Sequence, residues 1–169
     1  MDTSTPHGVM QLLAQAQADL LAAKPGDSFT GAICTFPWIC RCAIHKVALE
    51  GDLPRQIVEW LLALLEGADK PPLARRGAAS AIGPVLDPGQ GPDSIPPRGI
   101  DVPAVVIRMI AVFGKTDDNK LKRSLAFSFG LIGPLAKEAT EVLRLSAGSA
   151  DGELAKAVAE ALQSITGAA

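Results

Sequence analysis

Four stretches of this chain can be laid over one another. Beginning at Ile39, Ala74, Leu121 and Leu154, they read ICRCAIHKVALE, ARRGAASAIGPV, LKRSLAFSFGLI and LAKAVAEALQSI. The first, fifth and ninth places are apolar in all four: Ile39, Ala43 and Val47; Ala74, Ala78 and Ile82; Leu121, Leu125 and Phe129; Leu154, Val158 and Leu162. Steps of four put these side chains on one face of a helix. The sixth place holds Ile44, Ala79, Ala126 and Ala159, and small residues there let neighbouring helices approach closely.

The windows start 35, 47 and 33 residues apart. A period in the thirties marks a helical-repeat array. The long interval contains residues 87–100, DPGQGPDSIPPRGI, whose 14 residues account for its excess over 33. Pro88, Pro92, Pro96 and Pro97 exclude a helix or central strand there, so an inserted surface loop is expected. Such insertions often lie at a binding face; an excursion with no task is the other reading.

Each window follows another amphipathic segment: residues 6–23 (Val9, Leu13, Ala16, Leu20), 53–67 (Ile57, Leu61, Leu64), 102–114 (Val105, Met109, Ile110, Phe113) and 134–147 (Leu135, Ala139, Val142, Leu143). Apolar spacing of three and four makes these helices as well. Thr5-Pro6, Asp52-Leu53-Pro54 and Asp101-Val102-Pro103 each set a capping residue before a first-turn proline. Asp118 and Asp151 lie three residues ahead of window starts, where an N-cap belongs. Gly83-Pro84 and Gly133-Pro134 mark helix ends, the first with helix running on to about Leu86. The expectation is an all-α chain of eight helices in four antiparallel pairs, roughly 6–50, 53–86, 102–133 and 134–166, forming one domain over 1–169. The first pair is the least regular, because Lys46 and Glu50 fall where other windows are apolar or small.

These windows resemble HEAT repeats, particularly the short bacterial kind also found in phycobilisome-lyase-like proteins. The likeness is clearest from Asp118 through Leu121-Lys122-Arg123 to Gly133, good from Asp151 to Leu162, fair from Arg75 to Gly83 and weakest over residues 39–50. It implies an α-solenoid, with first helices on the convex side and second helices lining a concave face. It implies a scaffold far more than any particular reaction.

Composition narrows the function classes. With 48% hydrophobic and 20% charged residues the chain can fill a core and does not read as disordered. A formal charge of −2 denies it the overall basic field of a nucleic-acid binder. Charges at Arg41, Lys46, Glu59 and Glu66 interrupt the longest apolar runs, so no membrane partner is expected. The start, MDTSTPHGVMQLL, lacks the pattern of a signal peptide, which makes a cytoplasmic setting the expectation. Cys34, Cys40 and Cys42 are odd in number and read as reduced thiols.

The third place of the windows is basic throughout: Arg41, Arg76, Arg123 and Lys156. The seventh holds His45, Ser80, Phe127 and Glu160, on the same side of the helix. A row of cations suits an acidic protein surface, and these positions, with Arg41, His45, Arg76, Arg123, Phe127 and Lys156 foremost, are the candidate partner-binding set. The other reading is structural, with each cation bonding loop carbonyls or acidic caps of the next unit. Phe127 either stacks beneath Arg123, anchors a partner, or packs against the next repeat.

No catalytic set emerges. The histidines are His7 and His45, and no Gly-x-Ser-x-Gly, Walker or His-Glu-x-x-His motif occurs. Cys34, Cys40, Cys42 and His45 lack a CxxC pair and read as buried thiols rather than a zinc site, so neither metal nor cofactor is expected. Glu59, Glu66 and Asp69 read as a solvated helix face. The leading expectation is a non-enzymatic protein-interaction module, inhibitor- or immunity-like in one form. The alternative is a lyase-like enzyme or enzyme subunit, and a HEAT-like DNA glycosylase is disfavoured by the charge. Oligomeric state is not legible.

Overall fold

The computed structural model describes residues 6–22, 53–87, 89, 99–148 and 152–167, and every regular element among them is helical. In chain order these are α1 (Pro6–Ala22), α2 (Leu53–Glu66), α3 (Pro72–Leu86), α4 (Val102–Lys115), α5 (Asn119–Ile132), a 3₁₀ segment (Gly133–Ala139), α6 (Thr140–Ala147) and α7 (Gly152–Thr166). The window beginning at Ile39, and with it Arg41, His45 and the three cysteines, lies outside the described residues. So do Thr5, Asp52, Asp151 and most of residues 87–100.

The expected caps at Asp101 and Asp118 are present. Asp101 Oδ1 accepts from the Ala104 amide at 3.1 Å, ahead of Pro103 in the first turn of α4. Asp118 Oδ1 accepts from the Lys120 and Leu121 amides at 2.9 and 3.2 Å and so starts α5. Each satisfies donors that a helix leaves orphaned at its beginning. Gly133, with φ 63°, ends α5 in a conformation that favours glycine.

The second helices of the three later windows form a continuous row. α5 packs between α3 and α7, and these are the most extensive helix contacts described. α2 packs on α3, while α4 touches α2, α5 and the 3₁₀ segment. The repeat places become the core: Ala74, Ala78 and Ile82, then Leu121, Leu125 and Phe129, then Leu154 and Val158 are all buried. Phe113 of α4 meets Phe129 with ring centroids 6.3 Å apart, joining the two layers. Fully burying an aromatic of this size contributes up to roughly 3 kcal/mol.

Two glycines set the closeness of the row. Gly83 and Gly130 occupy the tenth place of their windows, and each faces the eighth place of the next, Ser128 and Ala161. A Cβ on Gly83 would come within 2.6 Å of Ser128 Cα, and one on Gly130 within 3.3 Å of Ala161 Cα. At the first contact Ser128, fully buried, accepts from the Gly83 amide at 3.1 Å and donates to the Ala79 carbonyl. These are the donor and acceptor that an α-helix joins across four residues. The hydroxyl of α5 thus enters the backbone of α3 one residue before Pro84, which is inside the helix and has no N–H to give. Helix α3 passes through Gly83-Pro84 and ends at Leu86.

One element departs from expectation. Residues 134–147 were expected as a single amphipathic helix with Leu135 inward; instead a 3₁₀ segment leads into α6. Gly133, Ala136 and Ala139 are all buried, and their spacing of three is the period of a 3₁₀ helix. The α period from Ala139 points back to Leu135, the 3₁₀ period to Ala136. Leu135 is therefore turned outward, and Ala136, at φ −98° and ψ 23°, marks the kink.

Candidate functional site

The basic third places lie on α3, α5 and α7, which the row brings side by side. Arg76 bonds Asp118 Oδ2 through Nε at 3.0 Å and Nη2 at 2.8 Å. Arg123 bonds Glu153 Oε2, in the first turn of α7, through Nη1 at 3.1 Å. Both cations therefore reach the acidic start of the next helix in the row. Lys156 is 4.0 Å from Glu160 on its own helix. Side-chain exposure rises along the row, 23% for Arg76, 48% for Arg123 and 75% for Lys156. Arg76 is thus mainly a fastener between two helices, whereas Arg123 and Lys156 are exposed, each beside an exposed carboxylate, Glu153 and Glu160.

Asp118 serves two helices at once, one oxygen capping α5 and the other holding Arg76. Burial pushes its carboxyl pKa up, but the Arg76 guanidinium and the Leu121 and Lys120 amides outweigh this and hold it below the ordinary 3.8. The neighbouring Arg75 donates to the Leu65 carbonyl at 3.0 Å, capping the end of α2.

Phe127 is 53% exposed, one turn beyond Arg123 on α5. It is not packed away against the next unit, and the Arg123 guanidinium turns instead to Glu153. The cation–π contact in this region is formed by Lys122, 5.8 Å above the buried Phe113 ring. At the equivalent seventh places Ser80 is half-buried and Glu160 exposed. Phe127 and Arg123 are thus both exposed on α5, and Lys156 is exposed on the neighbouring α7.

A second charged cluster was not visible in the sequence. Arg108 of α4 bonds Glu66 with both Nε (2.6 Å) and Nη2 (2.8 Å), and Glu59 through Nη1 at 2.7 Å. Glu59 and Glu66, expected as a merely solvated face, are thus tied to the next first helix. The bonds from Arg108 lower the Glu66 pKa, and the two carboxylates raise that of Arg108. Asp69, fully exposed, pairs with Lys70 at 2.9 Å. Arg108 could have been suspected only as one of two charges in an otherwise uncharged helix.

Among the described residues no group of three or more His, Cys, Asp or Glu side chains is placed to hold a metal ion, and no helix is long and apolar enough to cross a membrane. His7, on the first turn of α1, meets Gln11 at 3.0 Å. Comparison of the chain with protein-family models, with curated proteins and with solved structures found no match.

Proposed function

We propose that this chain is a non-enzymatic protein-interaction module built as a short HEAT-like α-solenoid of about four helix pairs. It binds an acidic protein surface through the face of its second helices, as a cytoplasmic inhibitor or immunity-like protein would. The reading is supported by the side-by-side row of α3, α5 and α7 and by the cation-to-acid step that recurs between units. The observation that carries it is Phe127, a large ring left half in water one turn beyond the exposed Arg123 on the central helix of the row. Exposed aromatics flanked by charge are the residues around which interfaces concentrate their energy. Arg123, Phe127 and Lys156 make the contacts and Arg76 positions the row; Arg41 and His45 join the set on their window places alone.

The test uses the immobilised protein and an extract of its native host. Phe127→Ser with Lys156→Glu removes the ring and inverts one charge, and being superficial it leaves stability within about 0.5 kcal/mol. Proteins retained by the wild type should be lost by the variant and should rebind when purified. Equal retention by both forms would remove this face from consideration.

A further inference from the structure

The row has two junctions, and they are fastened differently. Where α3 meets α5, Ser128 is bonded to both Gly83 and Ala79 of the neighbouring helix in a fully buried place. The Arg76–Asp118 pair of the same junction is 23% and 29% exposed. Arg108 adds a further tie between the same helix pairs, from α4 to Glu59 and Glu66 of α2. Where α5 meets α7, the place of Ser128 is held by Ala161, which has no hydroxyl to give. A Cβ built on Gly130 would lie 3.3 Å from Ala161 Cα, against 2.6 Å from Ser128 Cα at Gly83. The ion pair here, Arg123 to Glu153, is 48% and 79% exposed, and such pairs hold weakly in water. Both junctions bury apolar side chains, so polar ties and closeness are what differ.

The chain between α5 and α7 has a built-in bend. Gly133, at φ 63°, and Ala136, at φ −98° and ψ 23°, interrupt the helical course before Thr140. A 3₁₀ stretch running into an α-helix is a common place for a hinge. Beyond it α6 has one buried residue, Leu143, and packs chiefly on α7. Its attachment to the rest therefore runs through its companion helix. In a repeat array stability is a sum of unit and neighbour contributions, and a partial opening breaks the weakest neighbour contact. We infer that the C-terminal pair, α6 with α7, opens as one flap about the 3₁₀ segment while α3 and α5 stay closed. On the binding reading above, on which this consequence rests, the opening divides the proposed face: Phe127 and Arg123 lie on α5 and Lys156 on α7. A partner that contacts both sides holds the flap shut.

Native-state hydrogen exchange of the purified full chain in low urea, read amide by amide by NMR, tests the flap without any partner. Central amides of α6 and α7 should exchange together, with one shared urea dependence, about tenfold or more faster than those of α3 and α5. Arg123→Ala should speed exchange in α6 and α7 by up to about fivefold, the reach of an exposed pair, and leave α3 unchanged. Ser128→Ala should instead speed α3 and α5 and narrow the gap. One level of protection through α3, α5 and α7 would overturn the inference. So would protection that falls residue by residue toward Thr166 while α6 stays closed, which is fraying of an end. Exchange of α5 together with α7 while α3 stays protected would put the break at the other junction and overturn it equally. None of these outcomes depends on Phe127, so failure here and failure of the extract experiment are told apart.

Discussion

Arg76 and Asp118 stand 42 residues apart and meet through a single oxygen, Oδ2, while the other oxygen of the same carboxylate starts helix α5. One side chain thus joins a local task to a long-range one. Asp118→Ala loses both, and chemical denaturation should show a cost of about 2 kcal/mol, from a cap worth roughly 1 and a partly buried pair worth up to roughly 1. Arg76→Ala should cost less, and the double variant should fall short of the sum of the two.

The acid limb of stability should carry the mark of the same carboxylate. In the fold Asp118 titrates below 3.8 and Glu66 below 4.5. A depressed carboxyl contributes fully above its unfolded value and is lost as pH falls through its folded value. Melting temperature should therefore hold near neutrality and drop below about pH 4, the ordinary carboxyl range. Asp118→Asn, which keeps a capping oxygen but does not ionise, should start lower and drop less steeply. Parallel curves for the two proteins would contradict the assignment.

The two tenth-place glycines should respond unequally to alanine. At Gly83 the new methyl would sit 2.6 Å from the Ser128 backbone, which cannot swing aside. Gly83→Ala should cost about 3 kcal/mol or more, at the upper end of overpacking. At Gly130 the nearest atom is 3.3 Å away, and the gain in helix propensity, roughly 1 kcal/mol, offsets part of the strain. Gly130→Ala should be the milder change by a wide margin in urea unfolding.

Ser128→Ala removes a hydroxyl that is both donor and acceptor in a fully buried place. The Gly83 amide and Ala79 carbonyl lose that bridge, so a loss of about 1–3 kcal/mol is expected by denaturation. Ser128→Cys, close in size but a weak hydrogen-bonder, should recover only part of it. A neutral Ser128→Ala would mean that the α3 backbone closes without help.

Features governed by neighbours in the chain were readable from the residues. Asp101 and Asp118 cap because their side chains answer amides two or three positions on, and the fourfold steps of Leu121, Leu125 and Phe129 define a buried face directly. The sequence does not decide between Leu135 and Ala136, because Ala139 lies four residues beyond the first and three beyond the second, so both periods fit and only packing chooses. The basic row could be seen in Arg76, Arg123 and Lys156, but its meaning could not. Whether Arg76 faces a partner or Asp118 depends on how α3 and α5 are set side by side. Arg108 was harder still, since its acids precede it by 42 and 49 residues and it lies outside the four windows. Gly83 and Gly130 were in register all along, yet a glycine shows its purpose only when the atom opposite is known.

The serine that serves the backbone of a foreign helix also ties two melting events together. Exchange of the Gly83 amide proton with solvent requires Ser128 to withdraw, and Ser128 withdraws only with the segment that carries it. Deuterium uptake at that single amide therefore clocks the parting of two helices rather than the loosening of its own, and it should track protection across α5 under native conditions.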